Sequence, residues 1–214
     1  MKLHKGIWFP DGEVHMIQWC DKNGEMVNGK TTYQLKKLLA AIPHCKNWRT
    51  AVDVGSHIGF WSMHLSAHFA QLHAFEPVAD FRACWTRNME GLGGLLYPCA
   101  LGAAPGKVQV KVDPTDTGGS HVIGEGDIEM RTLDSFDFQD VDFLKVDCEG
   151  LELAVVQGAA DMLERCRPVV IVEQKQHIMA RNFGTTGTPA VDFLLAMGAK
   201  QRTVISGDYI LSFD

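Results

Sequence analysis

The stretch that most limits what this chain can fold into is Thr50-Ala51-Val52-Asp53-Val54-Gly55-Ser56-His57-Ile58-Gly59-Phe60. Ala51 to Val54 is a short apolar run of the kind that forms a buried parallel strand. Gly55 and Gly59 follow at once, and Trp61 to Phe69 then reads as a helix. Strand, glycine turn and helix in succession build a ligand site at the carboxyl edge of the first strand of an open α/β sheet. Gly55 lets the backbone turn sharply with no Cβ in the way. Gly59 lets the helix start close to the sheet, and Asp53 puts a carboxylate at the strand end. The spacing Asp-x-Gly-x-x-x-Gly is not the Gly-x-Gly-x-x-Gly of a nicotinamide dinucleotide site.

Further strands follow the same logic. Gln71 to Phe75 reads as a second strand and ends at Glu76-Pro77, about 20 residues past Gly55, where a doubly wound fold places the acid that accepts ribose hydroxyls. A helix is expected from Asp80 to about Met89, then a third strand over Leu95–Gly102. Val141 to Val146 runs into Asp147-Cys148-Glu149-Gly150, and a helix is expected over Leu151–Leu163. Pro168 to Val172 again ends in an acid, Glu173. Lys107 to Val112 alternates polar and apolar residues and reads as a strand of an antiparallel hairpin beside the main sheet. Asp113 to Asp127 reads as a long functional loop, and Ile128–Leu133 as a strand. Thr188 caps a helix to Met197, and Val204-Ile205 with Tyr209–Leu211 forms a closing hairpin. The expected fold is thus a doubly wound, Rossmann-like, mostly parallel seven-stranded sheet, with helices on both faces and an antiparallel C-terminal hairpin.

Residues 1–48 read as an N-terminal elaboration that covers the sheet or lids the site, and residues 49–214 as the main body of a single structural domain. Within the elaboration, Ile7–Trp19 predicts two short strands around a Pro10-Asp11-Gly12 turn. Thr31 or Thr32 is expected to cap a helix that Pro43 ends near Ile42. The formal charge of −6 argues against a sequence-independent grip on nucleic acid. No signal peptide or membrane-length apolar run is evident. The six cysteines show no Cys-x-x-Cys spacing, which fits reduced thiols in a cytoplasmic protein.

Asp53, Glu76, Asp147 and Glu173 therefore all fall at carboxyl ends of predicted strands, where they form a pocket suited to hydroxyls, amines or cations. Asp53–Gly59, Ala74–Pro77, Cys99–Gly102, Thr132–Phe136, Asp142–Gly150 with Glu152 and Gly158-Ala159, and Pro168–Glu173 together resemble the FkbM family of S-adenosylmethionine-dependent methyltransferases. The likeness spans roughly residues 50–175 in the family's order. Its specific parts are Asp142-Phe143-Leu144-Lys145-Val146-Asp147-Cys148-Glu149-Gly150 and Thr132-Leu133-Asp134-Ser135. The family usually carries Ala-Asn between its glycines, where this chain has Ser56-His57.

The resemblance implies S-adenosylmethionine as cofactor, with S-adenosylhomocysteine as its product. Glu76, beside Pro77, takes the ribose hydroxyls. Gly55, Ser56, His57, Gly59 and Phe60 lie against the methionine and ribose portion, with Asp53 beneath them. Cys99, Ala100 and Leu101 border the adenine, and Asp147 approaches the amino group or sulfonium. O-methylation of a small hydroxylated, sugar-like acceptor needs a base, for which Glu149, Glu173 and His177 are candidates, with His121 held in reserve. Asp147, Glu149, Glu173 and His177 could also chelate a divalent cation, although no metal is favoured. The other reading is a non-catalytic module of the same fold that holds the same nucleoside-type ligand.

Overall fold

In a computed structural model of the chain, residues 1–175, 184 and 186–213 are described. The elements, in order, are β1 (Lys2–His4), β2 (Ile7–Phe9), α1 (His15–Asn23), β3 (Met26–Val27), β4 (Lys30–Thr31) and α2 (Leu35–Ala41), then β5 (Thr50–Val54), α3 (Phe60–Leu65), β6 (Gln71–Phe75), α4 (Ala79–Asn88), β7 (Leu95–Tyr97) and β8 (Ala100–Leu101). They continue with β9 (Gly106–Lys111), β10 (His121–Arg131), β11 (Val141–Val146), α5 (Glu152–Gln157), α6 (Ala160–Cys166), β12 (Val169–Glu173), α7 (Pro189–Ala196), β13 (Lys200–Ile205) and β14 (Asp208–Ser212).

The main sheet has seven strands in the order β13-β14-β12-β11-β5-β6-β7. β5, β6, β7, β11 and β12 are parallel, while β14 and β13 close the sheet antiparallel. The main sheet starts at β5, winds outward to β7, then crosses back to β11. Strand order thus reverses between β5 and β11, and a doubly wound sheet opens its ligand crevice at that point.

The central strands β5, β11 and β12 are mostly apolar and fully buried because both faces are covered. Alternate residues enter opposite cores. Ala51, Phe143 and Ile171 pack with Met16, Cys20, Leu38 and Trp85 from α1, α2 and α4. Val52, Leu144, Val170 and Val172 pack with Val155, Met162, Leu163 and Leu194 from α5, α6 and α7. Burying each such side chain contributes roughly 1.5–3 kcal/mol.

Several local expectations give way to long-range contacts. Residues 15–19 are helix α1 rather than a strand. The buried Glu13 carboxylate accepts the Met16 N–H at 2.7 Å and so starts the helix. Thr31 and Thr32 do not cap α2. Thr31 lies in β4, and the Thr32 hydroxyl instead accepts the Glu25 N–H. Pro43 sits inside a 3₁₀ turn, Ile42–His44, that extends α2.

The third strand splits. β7 joins the main sheet, whereas β8 runs parallel to β10 in a separate three-stranded sheet completed by β9. The expected loop shortens because β10 begins at His121, and the expected strand over 128–133 is its second half, ending at Arg131. The expected helix over 151–163 breaks between α5 and α6. A Cβ on Gly158 would strike the carbonyl of Gly102, and the Asp134 carboxylate caps α6 through the N–H groups of Asp161 and Met162. No described helix is long and apolar enough to cross a membrane.

Candidate functional site

The glycine turn lies at the reversal point. Gly55 has φ +71° and Gly59 has φ +94°, values that a side chain rarely adopts. A Cβ on Gly55 would run into the carbonyl oxygen of Asp147 after β11, so only glycine lets the two strand ends meet. A Cβ on Gly59 would meet the Trp85 ring at 3.0 Å. The turn's amides are used internally. Gly55 and Ser56 donate to the Phe75 carbonyl, Gly59 donates to Ser56, and His57 donates to Glu76. The turn therefore offers its ligand the Ser56 and His57 residues rather than a row of N–H groups.

A cavity of about 380 Å³ opens over this turn. Gly55, Ser56, His57, Phe60, Glu76, Pro77, Cys99, Ala100, Leu101, Asp147, Glu149 and Glu173 all line it. Asp53 and Gly59 do not. Asp53 is fully enclosed, accepts the Ser62 hydroxyl at 2.6 Å and lies 3.4 Å from the Lys145 ammonium. It ties Lys145 of β11 to Ser62 of α3. His177 lies outside the described residues.

Glu76 sits at the end of β6, 5% exposed. One oxygen accepts the His57 N–H at 2.9 Å and the other the Val78 N–H at 2.8 Å. A carboxylate has about four acceptor sites, so each oxygen keeps one for a ligand. Burial pushes its pKa up to about 7, against the pull of those two amides and the more distant charge of Lys145.

Lys145 was not singled out by sequence, although a lysine inside an apolar strand is a visible signal. It is buried and donates to the carbonyls of Gly55 at 2.8 Å and Val54 at 3.3 Å. Its ammonium also lies 3.7 Å from Asp147. Burial opposes its charge, but Asp53 and Asp147 overcome that and raise its pKa.

The cavity wall at the ends of β11 and β12 is acidic. Ligand oxygens of Asp147, Glu149 and Glu173 lie within 4.8 Å of one another. Glu173 pairs with Lys175 at 2.7 Å, and Lys37 from α2 stands 3.8 Å away while pairing closely with Asp208. Burial, followed by the neighbouring charges of Asp147 and Glu173, raises the pKa of Glu149 to about 9. Burial and Asp147 raise that of Glu173 to about 8. Like charges this close resist simultaneous ionisation.

Two segments outside the parallel sheet complete the wall. The elaboration supplies His15, Met16, Tyr33 and Gln34, and the segment between β9 and β10 supplies Asp116 to Ser120. Gln34 adopts φ +57° and Glu149 φ +54°, strained values of the kind that gather at functional sites. Trp61, 6% exposed, also lines the cavity, and its Nε1 has no hydrogen-bond partner among the described residues. His121 lines it too, with Nδ1 3.0 Å from the carbonyl of Gly119.

The model of the methyltransferase FkbM domain family matches residues 53–200. The hexuronic acid methyltransferase AglP of Haloferax volcanii is 29% identical over 128 residues, covering 56% of this chain and 53% of the relative. The chain thus aligns with about half the length of that curated relative. Among solved structures, a methyltransferase FkbM from Methylobacillus flagellatus superposes with a TM-score of 0.51 at 17% identity, covering 78% of this chain and 44% of that one. A precorrin-6y C5,15-methyltransferase from Geobacter metallireducens superposes with a TM-score of 0.51 at 13% identity, covering 90% and 94%. At such identities the superpositions speak to the fold alone.

Proposed function

The chain belongs to the methyltransferase FkbM domain family, and from that premise we propose that it transfers a methyl group from S-adenosylmethionine to a hydroxyl of a small, sugar-like substrate. The observation that carries this reading is the shared cavity. Along the sheet edge that the cavity covers, Glu76 follows β6, the turn of Gly55 follows β5, and Asp147, Glu149 and Glu173 stand at the ends of β11 and β12 on the other side.

The residues present fit such a cofactor. Glu76 keeps acceptor sites for two ribose hydroxyls. Ser56 Oγ is buried without a partner among the described residues, as expected of a group that waits for a ligand. Cys99, Ala100 and Leu101 form an apolar wall suited to a flat base. The acids suit an ammonium and a sulfonium. When bound, the cofactor supplies a methyl group activated by the positive sulfur.

The chain's own residues align the acceptor and take its proton. Glu173 and Glu149 have pKa values near the alkaline side of neutrality, where a carboxylate is a stronger base than usual. Lys37 and Lys175 already supply counter-charge to Glu173, which favours protein cations over a divalent metal there. Tyr33, Gln34 and Trp61 offer aromatic faces and amide groups of the sort that hold polyol rings. The relative named as a hexuronic acid methyltransferase supports a sugar-type acceptor.

Calorimetry with S-adenosylmethionine and S-adenosylhomocysteine tests the reading. Micromolar binding is expected, and no heat at millimolar ligand would end it. Binding without turnover on any hydroxylated acceptor would favour a non-catalytic module.

A further inference from the structure

Deepening that reading, on which it rests, we propose that His57 is a ligand-binding residue. Its bare ring nitrogen, Nδ1, accepts a hydrogen bond from a hydroxyl or amine of the nucleoside-type ligand, and the N-terminal segment fixes its tautomer through Thr117 and Glu13.

The available protons fix the tautomer of His57. Glu13 is fully enclosed. One oxygen accepts the Met16 N–H at 2.7 Å, and the other accepts the Thr117 N–H at 2.8 Å and makes a short contact with the Thr117 hydroxyl. A carboxylate in this setting only accepts, so the single hydroxyl proton of Thr117 points to Glu13. Thr117 Oγ1 then has only lone pairs left for His57 Nε2, 2.9 Å away. Nε2 must carry the ring proton, and in a neutral imidazole Nδ1 is left bare. A second proton does not arrive near neutrality, because burial and the charge of Lys145 push the His57 pKa down to about 3.

Nδ1 is buried and has no partner among the described residues. His57 is among the cavity's lining residues, and its ring meets the Phe81 ring, also at the cavity, edge-on with centroids 4.4 Å apart. An orphaned acceptor beside a ligand cavity, next to the equally orphaned Ser56 Oγ, calls for a donor from the ligand. The same residue donates its backbone N–H to Glu76. His57 therefore fixes the acid expected to hold ribose while presenting an acceptor of its own. An amide would offer an acceptor too, but no tautomer for Thr117 to select.

Long-range ¹H–¹⁵N spectra of the uniformly ¹⁵N-labelled full chain test the proposal, with His57 assigned by the His57→Asn variant. The apo protein at neutral pH should show the Nε2–H tautomer, and saturating S-adenosylhomocysteine should shift the Nδ1 resonance in the direction of hydrogen-bond acceptance. His57→Phe should weaken S-adenosylhomocysteine about tenfold, the equivalent of one hydrogen bond, while His57→Asn should recover most of that loss. S-inosylhomocysteine, which lacks the exocyclic amine, tests that donor: a lost Nδ1 shift assigns the bond to it, an unchanged one to a ribose hydroxyl or the homocysteine amine. A proton on Nδ1 in the apo spectrum overturns the proposal. So does an Nδ1 resonance that stays still while calorimetry reports binding. Absence of binding by the unaltered chain instead brings down the cofactor reading itself, and this proposal with it. Should His57→Asn fail to fold, through-bond correlation from the assigned His57 backbone identifies the ring in the wild-type spectra.

Discussion

The Lys145 ammonium donates a 2.8 Å hydrogen bond to the carbonyl oxygen of Gly55. One buried cation thereby ties the end of β11 to the turn after β5, with Asp53 as its counter-ion at 3.4 Å. Removing one member of such a pair strands the other charge in the core. Lys145→Met should destabilise the fold by about 3 kcal/mol or more, read as a lower urea midpoint. Adding Asp53→Asn should recover part of the loss. A Lys145→Met protein as stable as its parent would mean the pair is dispensable.

Glu76 should govern cofactor affinity through ionisation. Ribose hydroxyls donate to the carboxylate form, and its pKa lies at about 7. Affinity for S-adenosylhomocysteine should therefore rise between pH 6 and 8, roughly one unit either side of that value. Glu76→Ala should weaken binding by about 1–3 kcal/mol and flatten the pH dependence. Titrations at several pH values decide the matter, and an unchanged affinity would place the ribose elsewhere.

The acid pair Glu149 and Glu173 should set the pH–rate profile. A base acts only when deprotonated, so turnover should climb with pH through about 8 and about 9. Replacing the true base by its amide should lower turnover by roughly 10²–10⁴-fold with little change in S-adenosylhomocysteine affinity. Glu173→Gln also removes a neighbouring negative charge from Glu149, so any remaining rise should move to lower pH. Profiles for Glu149→Gln and Glu173→Gln distinguish the two, and equal turnover in both variants and parent would exclude either as base.

Stability should fall as the solution becomes alkaline. Glu149 and Glu173 hold protons in the folded state far above the ordinary carboxyl value of 4.5. Their contribution is complete below that value and is lost as pH rises through about 8 and 9. His57 acts in the opposite sense, its folded pKa depressed from 6.5 to about 3. Its penalty is present below pH 3, fades as pH rises and is gone above 6.5. Between pH 6.5 and 9 the acids act without it, so melting temperatures of the apo protein should decline across that window. A flat or rising curve would show that the carboxylates ionise freely.

Much of this protein is written locally. The apolar strands over residues 50–54, 71–75, 141–146 and 169–173, and the acids that follow them, are legible because strand periodicity and turn glycines depend on near neighbours. Their order along the chain is enough to place Glu76, Asp147 and Glu173 at one edge. What the tertiary structure decided rests on partners distant in sequence. Residues 15–19 became helix because Glu13, held by Thr117, caps them. Asp53 turned inward because Lys145 needed a counter-ion. Tyr33 and Gln34 reached the cavity through a path that no local pattern encodes. Burial and charge pairing act across the folded molecule, so the chemistry of these groups exists only once the chain has closed around them.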